Sequence, residues 1–167
     1  MPPIGDIHDP LAATIYELLR PALQRWGRCA STDYPALRAI AALRLRCVEQ
    51  QAATQSQAHN PARPVTDADR QRAVWRLIRE AIDSLRPPPA IVSPAVAAAL
   101  NNLEQGDWPK GLVAPSESHH YLVLFLAYVA KSHPNKNLAT LLGVSERTLA
   151  SIRNAAIAEV ADYLARW

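Results

Sequence analysis

Apolar residues return every three or four positions through most of this chain, and alanine fills many of the places between them. That period belongs to an α-helix with one buried face and not to a strand. Thirty of the 167 residues are alanine, five are glycine and one is phenylalanine. Such a composition favours helix and starves a β-sandwich of the aromatic side chains it packs with. The length is enough to bury a core without disulfide staples. The expected fold is all-α, with six to seven helices arranged as an N-terminal helical region over residues 1–112 and a C-terminal unit over 116–167.

The individual helices carry their own start and stop signals. Asp9 and Pro10 precede Leu11, Ile15, Leu18, Leu19 and Leu23, an N-cap and first-turn proline ahead of a helix to about Trp26, which Pro21 is expected to kink or break. A second helix is expected from Asp33 to about Val48, carrying Arg38, Arg44 and Arg46 on its polar side. Residues 51–65 contain Gln, Ser, Asn and two prolines without apolar periodicity, which reads as a mobile connector. Thr66, Asp67 and Asp69 then have the pattern of a capped start with acidic residues in the first turn, and the helix is expected to reach Arg86 before three prolines stop it. Ser93 and Pro94 open a short helix to about Leu103. Gly106, Pro109, Gly111 and Pro115 mark a second irregular stretch.

Charge and cysteine content limit the function classes. The net charge is +3, yet residues 1–90 hold twelve basic against nine acidic side chains and residues 91–167 hold six of each. A general basic coat is absent. The arginines of residues 38–46, with Arg20, Arg25 and Arg28, alternate with acidic residues as a solvated helix face does. No apolar stretch is long enough to span a bilayer, so no membrane partner is expected. Cys29 and Cys47 form no CxxC pair and no secretory signal precedes them, which points to a reduced, cytoplasmic setting.

Catalytic and metal signatures are missing as well. His119 and His120 are neighbours and project about 100° apart on a helix, so they cannot share a metal as an i, i+4 pair does. Neither HExxH, GxSxG, GxxxxGK nor GxGxxG occurs. The expectation is a protein that is not an enzyme and that needs neither metal nor cofactor.

The last fifty residues are more specific. Ser118 to Ser132 reads as an apolar helix ended by Pro134, and Asn135 to Asn154 then meets the position-by-position needs of a helix-turn-helix. Ala139 is the small residue where the helices meet, Gly143 is the turn residue that tolerates positive φ, and Ser145 is an N-cap. Leu138, Leu142, Val144, Leu149 and Ile152 supply the apolar positions that hold the pair. The run from Leu122 to Leu164 resembles the C-terminal helix-turn-helix of LuxR-type regulators and of sigma-factor region four. A looser resemblance is to helical modules at the N-termini of bacterial STAND-type regulatory ATPases.

The first resemblance implies sequence-specific binding of double-stranded DNA in transcriptional control, with the second helix in the major groove. Arg147, Thr148 and Ser151 would then contact bases, and Arg147 is able to grip guanine O6 and N7. Lys131, Lys136, Ser145, Arg153 and Asn154 would contact phosphates. The last 37 residues carry net +2, a thin footprint. That thinness argues for a homodimer, for which Ile157, Val160, Leu164 and Trp167 offer an apolar stripe; the alternative is that this stripe packs on the chain's own N-terminal helices. The N-terminal region would serve dimerisation or contact with a protein partner. The second resemblance implies a protein-interaction or autoinhibitory module of a larger signalling ATPase, without direct DNA contact.

Overall fold

A computed structural model describes residues 9–24, 35–105, 108–130 and 135–166. Among these residues the chain is all-α: eight α-helices and no strand. They are α1 (Pro10–Gln24), α2 (Pro35–Leu43), α3 (Leu45–His59), α4 (Asp67–Ser84), α5 (Pro94–Asn101), α6 (His119–Leu124), α7 (Asn135–Leu142) and α8 (Glu146–Ala165). None of the described helices is long and apolar enough to cross a membrane.

The residues divide into two compact units, one made of 1–81 with 157–167 and the other of 82–156. This differs from the expected split at residues 112 to 116. The end of α4 and the whole of α5 fall in the second unit, and the end of α8 falls in the same unit as the N-terminal helices. In that first unit Ile15, Leu19 and Leu23 of α1, Leu37 and Ile40 of α2, Val48 and Ala52 of α3, and Val74 and Ile78 of α4 are all buried. Ile157, Val160, Ala161 and Leu164 join them, each at most 2% exposed. The stripe expected to offer a homodimer surface is thus covered, at Ile157, Val160 and Leu164, by the chain's own residues. Trp167, the fourth member, lies outside the described residues, as do Trp26 and Cys29.

Local signals explain where several helices begin. The Leu11 backbone N–H donates to the Asp9 carboxylate at 2.9 Å, and α1 then continues past Pro21 to Gln24 without breaking. Ser93 caps α5 by accepting from the Val96 N–H at 3.3 Å. At α4 the backbone N–H and hydroxyl of Thr66 donate to the Asp69 carboxylate at 2.9 and 2.8 Å, while the Asp69 N–H donates back to the Thr66 hydroxyl at 3.2 Å. This reciprocal box satisfies backbone donors that have no partner in a bare helix end. Arg70 of α4 ties the helix to α3 through Glu49 at 2.6 Å.

Two expectations change between residues 33 and 65. The single expected helix is two, broken at Arg44, whose φ of −119° and ψ of 35° leave the helical region. The second of them, α3, runs through the stretch expected to be an irregular connector as far as His59. Its Gln and Ala residues are good helix formers, and Val48 with Ala52 gives it a narrow buried face. Only Asn60 to Thr66 is left as the link to α4.

In the second unit, Ser118 and His119 fix the entry into α6 by bonding back onto the preceding loop. The Ser118 hydroxyl donates to the Pro115 carbonyl at 2.7 Å, and the His119 Nε2–H donates to the Ala114 carbonyl at 3.0 Å. Beyond Leu124 the expected α-helix widens into a π-helical segment, Phe125–Val129, closed by an Ala130 N–H to Phe125 carbonyl bond of 2.8 Å. Tyr121 through Leu126 are all buried. A stretch that is apolar on every side is one that the fold buries on every side.

Two outcomes test this description. Leu164→Ala should lower unfolding stability by about 2 to 4 kcal/mol in urea titrations while leaving the molecular mass in solution unchanged, since it opens a cavity inside one chain. Asp69 supplies a pH dependence. The Thr66 backbone bond, then the Thr66 hydroxyl, hold its carboxyl well below the ordinary range; burial opposes them, and Arg72 and Arg63 add to the lowering. A carboxyl depressed on folding stabilises fully above its unfolded value and loses that contribution as pH falls below about 4. Urea midpoints should thus drop as the pH is lowered from about 5 to about 2, most steeply below about 4, and Asp69→Asn should flatten the part of that drop due to this residue.

Candidate nucleic-acid interface

Helices α7 and α8 are joined by Gly143, Val144 and Ser145. The turn is closed by two backbone bonds: the Gly143 N–H donates to the Thr140 carbonyl at 3.1 Å, and the Val144 N–H reaches back to Ala139 at 3.0 Å. That pair of bonds, with Gly143 at φ 67°, is a Schellman ending. An L side chain rarely adopts this conformation, which is why glycine stands there. Ser145 starts the next helix, its hydroxyl oxygen accepting from the Thr148 N–H at 3.1 Å and its O–H donating to the Thr148 hydroxyl at 2.9 Å.

Packing beneath the turn follows the spacing of the apolar residues. Leu138, Ala139, Leu142 and Leu149 are buried, whereas Val144 and Ile152 are half-buried. The opposite face of the first turns of α8 is open. Ser145, Glu146, Arg147, Thr148, Ala150 and Ser151 are all exposed. The three residues expected at bases, Arg147, Thr148 and Ser151, thus share one solvent-facing surface of a single helix. Glu146 stands in the same turn and complements the positive end of the helix dipole.

The residues expected at phosphates are placed less uniformly. Lys136, at the start of α7, is exposed. Lys131 lies outside the described residues. Asn154 is half-buried, and Arg153 is half-buried with its guanidinium donating to the Asn135 amide oxygen at the start of α7. The Arg153 Nε is buried without a hydrogen-bond partner. Arg153 therefore acts as a brace between α8 and α7. Asn135 was not among the expected site residues, and no periodic signal links positions eighteen apart on different helices.

No group of three or more His, Cys, Asp or Glu able to hold a metal occurs among the described residues. Comparison of the chain with protein-family models, curated proteins and solved structures gives no match.

The turn yields a direct expectation. A Cβ placed on Gly143 would meet nothing within 4 Å. Gly143→Ala should therefore cost only the backbone term, about 1 kcal/mol, and Gly143→Asn distinctly less, measured as shifts in urea midpoint.

Proposed function

We propose that this chain binds double-stranded DNA through α7 and α8, with the first turns of α8 in the major groove, as a helix-turn-helix module in transcriptional control. The observation that carries the reading is the exposed surface of Arg147, Thr148 and Ser151 on a helix start locked by the Gly143 turn and the Ser145 cap. A helix tip held in this way presents its side chains to base edges without first having to order the backbone, and free N–H groups at such a tip also favour a phosphate. Arg147 is assigned to a guanine through two parallel hydrogen bonds. Lys136 and Ser145 are assigned to phosphates, with Lys131 as the other basic side chain in the adjoining sequence. Two neutralised phosphates correspond to a salt slope of roughly −2, so one copy binds weakly at physiological ionic strength.

A second reading, a protein-interaction module of a larger STAND-type signalling ATPase, is favoured by Leu43 and Leu45, which are 40% and 51% exposed at the α2–α3 break. Fluorescence anisotropy with a mixed pool of duplexes at two salt concentrations separates the two. Under DNA recognition, Arg147→Ala loses about 1 to 3 kcal/mol of base preference, while Lys136→Ala weakens every sequence alike and flattens the slope by about one. Absence of binding at low salt, or the same effect from both variants, rejects direct base reading and leaves the interaction module.

A further inference from the structure

Within the second unit, a groove of about 560 Å³ lies between the loop Trp108–Val113 and the last turns of α7 with Gly143. Its loop wall is held in place by its own bonds. The Trp108 indole N–H donates to the Leu112 carbonyl at 2.9 Å, the Leu112 N–H donates to the Pro109 carbonyl at 3.2 Å, and Gly111 takes φ 80° at the corner between them. Trp108 is itself 7% exposed, so the wall stands on a buried ring.

The lining joins two chemistries. Leu112 and Leu141 are half-buried and Val113 is 79% exposed, an unusual degree for a valine beside a concavity. Lys110 contributes a positive charge and Asn137 an amide, and no acidic side chain among the described residues lines the groove. Its volume falls in the range of small-molecule sites, where apolar walls supply affinity and a few polar groups fix orientation. Lys110 is exposed, and a lysine can lay its aliphatic stem along an apolar wall with its ammonium in water.

From this we infer that the groove is a binding site for a small organic anion, a carboxylate carrying an aromatic ring or a branched alkyl tail. The tail packs between Leu112, Val113 and Leu141, and the carboxylate faces Lys110 and Asn137. This inference is independent of the DNA reading, since its residues lie outside the exposed face of α8 and its test involves no nucleic acid.

The experiment is an NMR titration of the full chain, uniformly labelled with ¹⁵N, with 3-phenylpropanoate and, as charge-reversed control, 3-phenylpropylamine. Saturable shifts at the amides of residues 108–113 and 137–143 and at the Trp108 indole N–H are expected, with a Kd on the order of a millimolar for a ligand of this size. The amine should bind more weakly. Lys110→Met should weaken the acid about threefold to tenfold and bring acid and amine closer together. Val113→Glu should abolish acid binding. Both substituted positions are exposed, and an unchanged thermal melt verifies that each variant is folded. Linear, unsaturated shifts, shifts centred elsewhere, equal uptake of acid and amine by the unaltered protein, or indifference to Lys110→Met overturns the proposal.

Discussion

The order of this molecule rests on buried apolar helix faces in which alanine takes a large share. Ala12, Ala52, Ala73, Ala81, Ala156 and Ala161 are fully buried, as are Ile15, Val48, Ile78 and Val160. A methyl group at a contact lets two helix backbones come together, and the neighbouring leucines and isoleucines fill the space on either side. No disulfide joins Cys47 to another residue, and no strand pairing adds long-range hydrogen bonds among the described residues. The stripes have to suffice. The caps at Asp9, Thr66, Ser93 and Ser145 then decide where each stripe begins.

Much of this arrangement was legible in the residues because its signals are local. Proline after a capping residue, a Thr66–Asp69 pair, or a glycine followed by serine each acts within a turn of helix, so the order of residues is nearly the whole cause. What escaped depended on contacts made at a distance. The helix over residues 45–59 has too few apolar positions to announce itself, and its burial comes from Val48 and Ala52 alone. The stripe from Ile157 to Leu164 signalled correctly that it is covered. A periodic pattern has the same form whether the cover comes from the same chain or from a second copy.

The proposed interface shows the same division. Exposure of Arg147, Thr148 and Ser151 on one face follows from their register against Leu149, which the sequence carries. The tethering of Arg153 to Asn135 does not follow from any spacing, since it needs the two helices already in place. The groove beside Trp108 was hidden for a related reason: its two walls come from segments more than twenty residues apart, one of which reads only as an irregular link rich in glycine and proline.

The wide turn at Phe125–Val129 bears on how the chain tolerates change in length. A π segment is in effect an α-helix that has absorbed one surplus residue into a single swollen turn. Loss of one codon within these five positions would restore an ordinary helix with Leu122 and Leu124 still inward. The same loss in the middle of α4 or α8 would rotate every later side chain by about 100° and turn a buried stripe toward water.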